Sequence, residues 1–141
     1  MNIIVDTCVI IDALQQREPF NKDAQALCLT VAKGDVSGFI PAKSVADIYY
    51  IMHRSVHSDV ETRNLLKKLF MSFGILDTTA LDCRNALTSP VSDFEDAILA
   101  ETAYRNGVEY IVTRNTKDFT RSVIPVITPS EFLQKISESE E

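Results

Sequence analysis

Acidic side chains stand at positions along this sequence where an α/β fold would bring them together. Asp6 ends the short apolar run Asn2-Ile3-Ile4-Val5, and Asp47 lies on the helix predicted after the second strand. Asp93 and Asp96 open a later helix. Ligands of open α/β sheets bind beyond the carboxyl ends of the strands. We therefore expect these carboxylates to meet at one edge of one sheet.

A group of carboxylates without histidine or cysteine ligands is typical of a site for a hard cation, Mg²⁺ or Mn²⁺. Such an ion activates water and stabilises charge on a phosphate, so the predicted reaction is phosphodiester hydrolysis. Asn115 and Asp118 follow a late predicted strand, and their side chains would reach the same edge.

Two of these acids also fit a structural role. Asp is a favoured N-cap residue, so Asp6 could cap the helix that begins near Thr7. Ser44 and Asp47 form a weaker version of the capping box, in which Glu or Gln is the usual partner three residues on. Taken alone, the capping role is the favoured interpretation of Asp47. For Asp6 the sequence favours neither a capping role nor a functional role.

The other candidates have structural interpretations as well. Asp93 and Asp96 are three residues apart on one helix face, where they complement the helix dipole. Asn115 and Asp118 are common turn residues. The functional interpretation therefore depends on all of these side chains sharing one end of one sheet.

Short apolar strands alternate with amphipathic helices along the chain, which predicts one α/β domain. Its predicted architecture is a three-layer sandwich with a central, mostly parallel sheet flanked by helices. The predicted strands are 2–6, 37–41, 75–76, 110–113 and 126–127. The first predicted helix begins near residue 7 and ends before residue 19. The other predicted helices cover 21–34, 43–53, 60–70, 79–87, 92–106 and the residues from 128 onward.

The composition is that of an ordinary soluble globular protein, with 141 residues, 45% hydrophobic and 24% charged. Residues 1–136 are predicted to form the domain and 137–141 an acidic, disordered tail. The net charge of −6 counts against binding nucleic acid through simple basic attraction. A bound divalent cation can reverse the local field, so the charge does not exclude such a substrate.

No apolar run approaches the length of a membrane span, and the first residues lack the pattern of a signal peptide. The prediction is a cytoplasmic protein with no membrane contact. The chain has three cysteines, an odd number, and none of them forms a CxxC pair: Cys8, Cys28 and Cys83. They are predicted to be buried free thiols rather than disulfide or zinc ligands.

Four motifs in order give the chain a more specific resemblance. It resembles the PIN domain family, metal-dependent ribonucleases that include the VapC-type toxins of bacterial toxin–antitoxin pairs. The motifs are IVDTCVI (4–10), SVADIYY (44–50), DFEDA (93–97), and YIVTRN with KDF (110–115 and 117–119). Any one of them is weak, but together they extend the resemblance to about residue 133.

The resemblance implies a PIN-like fold and an endoribonuclease dependent on Mg²⁺ or Mn²⁺. It implies that Asp6, Asp47, Asp96 and Asn115 are the catalytic residues, and that Asp93 joins the first three as a metal ligand. The family usually has Glu at the second position and often Asp at the fourth. Here Asp47 is one methylene shorter and Asn115 has lost a charge, which Asp118 could replace if its turn folds back.

The resemblance also implies substrate contacts and partners. Thr7 follows the first acid, where the family's small hydroxyl residue orients the carboxylate or a water, and Thr113 could do the same. Arg114 could contact a phosphate, although a solvated arginine is the ordinary alternative. The implied partners are an RNA substrate, an antitoxin whose basic side chain enters the acidic site, and a second copy in a homodimer.

Two other functions remain open from the sequence. The first is a PIN-fold RNA- or protein-binding module with weak catalysis, because the fourth position is Asn115. The second is a phosphotransfer domain with a strand-end Asp, which is disfavoured because Cys8 stands where a second Asp would be needed.

Overall fold

The structure, a computed structural model, describes residues 1–139. This part contains five strands: β1 (Asn2–Val5), β2 (Ser37–Pro41), β3 (Gly74–Leu76), β4 (Tyr110–Val112) and β5 (Val126–Ile127). The same residues form seven α-helices: α1 (Thr7–Leu14), α2 (Asn21–Ala32), α3 (Ala42–Val56), α4 (Asp59–Ser72), α5 (Ala80–Ala86), α6 (Phe94–Asn106) and α7 (Pro129–Ser139). A short 3-10 helix (Thr116–Phe119) precedes β5.

The strands form one sheet in the order β3-β2-β1-β4-β5, and every described pair is parallel. Helices cover both faces of this sheet, so β1 can be apolar at successive positions. Ile3 and Val5 belong to one core and Ile4 to the other, because successive side chains of a strand point to opposite faces. The predicted three-layer α/β sandwich is confirmed.

The two cores show which helices form each outer layer. The core around Ile3 includes Val9 of α1, Leu27 of α2, Ile48 of α3, Leu69 of α4 and Phe132 of α7. The core around Ile4 includes side chains from α5 and α6, among them Ala86, Ala97, Leu99 and Ala103. The sheet is therefore covered by five helices on one face and two on the other within residues 1–139.

The centre of the sheet is where the chain reverses its direction of winding. From β1 it proceeds through β2 to β3 on one side, and later through β4 to β5 on the other. Asp6 follows β1 directly, and its backbone N–H donates to the carbonyl of Val112 on β4 at 3.0 Å. In open α/β sheets such a switch point is the usual ligand-binding crevice. Asp6 therefore stands at the position predicted for the site.

Two local predictions need correction. The capping box at Ser44 and Asp47 is wrong, because α3 begins at Ala42 with Pro41 at its N-cap position. The Ser44 hydroxyl is buried without a hydrogen-bond partner. The helix predicted over 92–106 begins at Phe94, with Asp93 as its N-cap.

Further differences concern the cysteines and the C-terminus. Cys83 is exposed, while Cys8 and Cys28 are partly buried, and all three thiols are free. Residues 137–139, predicted as part of an acidic tail, belong to α7 instead. The rest of that predicted tail, Glu140 and Glu141, lies outside the described residues. Each helix in residues 1–139 is too short or too polar to cross a lipid bilayer.

Candidate functional site

An open pocket lies beyond the carboxyl end of β1, and four residues predicted from the sequence line it. They are Asp6, Thr7, Asp47 and Asp96. They come from three places in the chain: the β1–α1 junction, the middle of α3 and the first turn of α6. The remaining lining residues are Lys43, Tyr50, Ile51, Arg54 and Glu95.

Asp6 is held by three donors. Its Oδ1 accepts from the backbone N–H of Thr7 at 2.8 Å, so Asp6 also caps α1. Its Oδ2 accepts from the Thr113 hydroxyl at 2.9 Å and from the Cys8 thiol at 3.6 Å. Thr113 is fully buried, and its hydroxyl also accepts from the backbone N–H of Asn115. The predicted orienting role of Thr113 thus has a direct contact, while Thr7 acts through its backbone.

The surroundings of Asp96 raise the pKa of its carboxyl group. Burial raises its pKa to about 7. The negative charges that add to this rise are, in order, those of Asp6, Asp93 and Asp118. The ammonium group of Lys43 opposes the rise in the pKa. The charges of Asp6, Asp93 and Asp118 therefore act on the Asp96 carboxyl, and the role of these acids as a metal site stays a prediction.

Asp93 serves as the helix cap as well as a neighbour of Asp96. Its Oδ1 accepts from the backbone N–H of Asp96 at 3.0 Å and so satisfies a free donor of the first turn of α6. Asp96 itself is not a cap. Within residues 1–139 the Asp96 side chain makes no hydrogen bond. Its carboxylate is therefore available for a ligand.

Asn115 and Asp118 are separated by the turn into the 3-10 helix. Asn115 is at the N-cap position of that helix, and its exposed side chain makes no capping hydrogen bond. The turn is closed by the backbone N–H of Asp118, which donates to the carbonyl of Asn115 at 3.0 Å. The charge of Asp118 adds to the raised pKa of Asp96. Neither Asn115 nor Asp118 is among the residues that line the pocket.

Arg114 is partly buried and forms an ion pair with an acid of α1. Its Nε donates to Oδ2 of Asp12 at 2.7 Å, and its guanidinium lies 4.4 Å from the centre of the Phe20 ring. The side chain of Asp12 is 2% exposed. This buried acid on α1 was missed because its partner is 102 residues away in the sequence. The ion pair uses Nε and Nη2 of the guanidinium, and the phosphate contact of Arg114 stays a prediction.

Cys8 supports Asp6 without being a nucleophile. Burial, followed by the negative charge of Asp6, raises the pKa of this thiol to about 11. The thiolate is the nucleophilic and metal-binding form of cysteine, so a thiol with this pKa is inert at neutral pH. Cys8 therefore acts as a donor to the carboxylate.

The pocket has a basic component that was not predicted. Lys43, Tyr50 and Arg54 line it from the same helix as Asp47. Their spacing of four, three and four residues places all four side chains on one helix face. That spacing is visible in the sequence once the helix is known to face the carboxyl edge.

The oxygen-only donor set fits a hard divalent cation. Asp6, Asp47 and Asp96 offer carboxylates to one pocket. Positive charge there would relieve the repulsion that, after burial, raises the pKa of Asp96. Within residues 1–139 no three His, Cys, Asp or Glu side chains are grouped so that they could hold a metal ion. Mg²⁺ is commonly held by one or two carboxylates and keeps several waters, so the residues present fit such an ion.

Comparisons with known proteins identify the family and the fold. A family model described as PIN domain matches residues 2–117. No curated protein matches the sequence. A toxin–antitoxin complex from Klebsiella pneumoniae contains a chain that is 25% identical, with 90% of this chain and 97% of that chain covered at a TM-score of 0.66.

Two further solved structures share the fold at lower identity. VapBC2 from Rickettsia felis, bound to a DNA fragment from its promoter, is 15% identical, with 91% and 98% of the two chains covered and a TM-score of 0.65. FitAcB from Neisseria gonorrhoeae is 22% identical, with 91% and 98% covered and a TM-score of 0.62.

Proposed function

This chain belongs to the PIN domain family, and from that premise we propose that it is an endoribonuclease dependent on Mg²⁺ or Mn²⁺. The observation that carries the proposal is the convergence of Asp6, Asp47 and Asp96, from three distant segments, on one pocket at the switch point of the sheet. Several carboxylates converging on a pocket suit metal-assisted hydrolysis better than they suit recognition of an anion by direct contact.

The roles of the acids follow from their surroundings. Asp6 is fixed by Thr113 and Thr7, so it would present one carboxylate in a constant orientation. Asp96 would have to lose its proton before it could act as a ligand. Asp47 is exposed on α3 and would complete the set from the opposite wall. A divalent cation bound there would activate water and offset charge on the phosphate.

Two neighbours complete the proposed site. Asp118, rather than Asn115, supplies the fourth acid, because its charge reaches Asp96. Asp93 contributes charge to the same region while it caps α6.

The test is cleavage of a labelled single-stranded RNA by the purified protein. The expected result is cleavage with Mg²⁺ or Mn²⁺, none with a chelator, and none by Asp96→Asn. The matched control is Asp35→Asn, because Asp35 is an exposed acid that precedes β2 at the other edge of the sheet. Cleavage by Asp96→Asn at the rate of the unmodified protein would remove this residue from the site.

We also propose a protein partner. The solved structures with this fold include toxin–antitoxin complexes, and an acidic pocket could receive a basic side chain of such a partner. A gene beside this one that encodes a small DNA-binding protein would support the toxin assignment. Gel filtration of the purified protein would test the expected homodimer.

A catalytically weak binding module is the second candidate. The observation that favours it is that no described group of three acids is already arranged to enclose a metal ion. Calorimetric titration with Mn²⁺ separates the two functions, because a binding module needs no tight cation. Saturable Mn²⁺ binding that depends on Asp96 supports the nuclease. RNA binding by a protein that shows no such Mn²⁺ binding supports the binding module.

A further inference from the structure

The face of α3 that borders the pocket carries an unusual combination of side chains. Lys43, Asp47, Tyr50 and Arg54 all line the pocket. From Lys43 to Arg54 this face extends for about 16 Å along the helix axis. An acid of the proposed site therefore lies between two cations, with an aromatic ring beside it.

The two cations are not neutralised by direct pairing. The ion pairs within residues 1–139 are Asp59–Arg63, Asp82–Arg105 and Asp12–Arg114. Lys43 and Arg54 belong to none of them, although both border a pocket that is rich in carboxylates. In a protein with a net charge of −6, two free cations on this wall are local features rather than part of a general basic surface.

The Tyr50 side chain is exposed, but its ring packs against a neighbouring side chain. Its side chain is 62% exposed. Its ring makes an edge-to-face contact with Tyr49 at 5.2 Å between centroids. Tyr49 is in turn stacked on His53 and donates a hydrogen bond to Asp59. A supported aromatic ring next to cations is the arrangement with which proteins bind unpaired nucleotides, by stacking on bases and pairing with phosphates.

We propose that Lys43, Tyr50 and Arg54 form a track for an unpaired RNA strand, in which Tyr50 stacks on a base and the two cations contact phosphates on either side of the scissile one. The inference rests on the proposed nuclease function and adds to it the residues that position the substrate. A duplex does not fit this role, because its bases are already stacked on one another.

The charges favour RNA over a protein segment on this face. A single basic side chain could enter between the carboxylates, but a continuous basic segment along this face would be repelled by Lys43 and Arg54. An acidic segment would be repelled by the carboxylates of Asp47 and Asp96. A phosphodiester chain can interact with the cations and with the carboxylates of this face. Its phosphates pair with the cations directly and with the carboxylates through a divalent ion.

The experiment measures binding rather than cleavage. Fluorescence anisotropy records the affinity of the full chain, carrying Asp96→Asn so that no RNA is cut, for a short single-stranded RNA and its duplex in Mg²⁺. Tyr50→Ala is expected to lower single-strand affinity about fivefold to a hundredfold, which is the range for loss of one stacked base. Tyr50→Phe keeps the ring and should retain the affinity of the Asp96→Asn protein.

The cations are tested by the salt dependence of the same affinity. Lys43→Ala and Arg54→Ala should each reduce the slope of log affinity against log salt by about 0.7. The matched controls are Tyr104→Ala, whose side chain is 61% exposed on α6, and Lys33→Ala, at the end of α2. Both controls should leave the affinity and the salt slope unchanged.

Several results would overturn the track. They are equal loss in Tyr50→Phe and Tyr50→Ala, an unchanged salt slope in both cation variants, or equal affinity for the duplex. Unchanged RNA affinity in Tyr50→Ala together with loss of a protein complex would assign this face to a protein partner instead. If the unmodified protein cuts RNA while these variants bind normally, the track fails and the nuclease stands. If the affinities change as expected and the unmodified protein does not cut, the track stands without catalysis.

Discussion

The hydroxyl of Thr113 donates a hydrogen bond to Oδ2 of Asp6 across 2.9 Å, and this contact joins the ends of β4 and β1. The two residues are 107 positions apart in the sequence. Because Thr113 is fully buried, its hydroxyl depends on protein partners rather than on water. The contact therefore fixes the orientation of the carboxylate on which the proposed site is built.

Thr113→Val should destabilise the fold and weaken Mn²⁺ binding. The variant keeps the shape but removes one of the three donors to Asp6 and leaves the backbone N–H of Asn115 without its acceptor. Such losses cost about 1 to 3 kcal/mol, which corresponds to a fall of several degrees in melting temperature. Thr113→Ser keeps the hydroxyl and should retain Mn²⁺ affinity. Equal melting temperatures and Mn²⁺ affinities in Thr113→Val and the unmodified protein would show that the contact contributes neither to stability nor to metal binding.

The pKa of Asp96 makes the stability of the metal-free protein depend on pH. The folded value of about 7 is above the ordinary value of 3.8. Between these values the folded state binds more protons than the unfolded state, so the free energy of unfolding falls as pH rises. The favourable contribution is fully present below about pH 4 and is lost as pH passes through about 7.

Urea unfolding of the metal-free protein at a series of pH values measures this effect. Asp96→Asn should flatten the decline between about pH 4 and 7, and Asp35→Asn should leave it unchanged. An equal decline in Asp96→Asn would mean that other groups cause it.

Asp118→Asn should weaken Mn²⁺ binding and lower the pKa of Asp96. The reason is that it removes one of the negative charges near that carboxylate. Asn115→Asp, three residues away, tests the other candidate for the fourth acid. Calorimetry would measure both variants. Tighter binding in Asn115→Asp with unchanged binding in Asp118→Asn would reverse the assignment.

Asp12→Asn should destabilise the protein by about 2 kcal/mol. The change removes the charge that pairs with the Arg114 guanidinium and leaves that cation partly buried against Phe20. Thermal unfolding of Asp12→Asn, Arg114→Met and the double variant measures the coupling between the two side chains. Additive losses in this cycle would show that the pair contributes no coupling.

Local patterns were sufficient to predict most of the fold. The apolar β1 run and the amphipathic helices are short-range signals, and parallel strands bring their carboxyl ends to one edge, so the meeting of Asp6 and Asp96 followed from topology. The resemblance to the PIN domain family is likewise confirmed by the family match over residues 2–117.

What was missed depends on packing between distant segments. The capping box at Ser44 failed because Pro41 ends β2 and leads directly into α3, which leaves Ser44 inside the helix. Asp12 reads as an ordinary polar residue until Arg114 is placed beside it. Which face of α3 borders the pocket cannot be read from the helix alone, so the role of Tyr50 was not visible in its spacing.

The most direct test of the metal site is the melting temperature with and without Mn²⁺ at about pH 8, where Asp96 is ionised. Mn²⁺ at ten times its dissociation constant is expected to stabilise the unmodified protein by about 1.4 kcal/mol, and at a hundred times by about 2.7 kcal/mol. The melting temperature should rise by several degrees. Asp96→Asn, which removes a repelled charge but no cap, should melt higher than the unmodified protein without metal and should not respond to Mn²⁺. Asp35→Asn should respond as the unmodified protein does. A melting temperature that Mn²⁺ leaves unchanged in the unmodified protein, or raises equally in Asp96→Asn, would contradict the proposal that these carboxylates hold a catalytic metal ion.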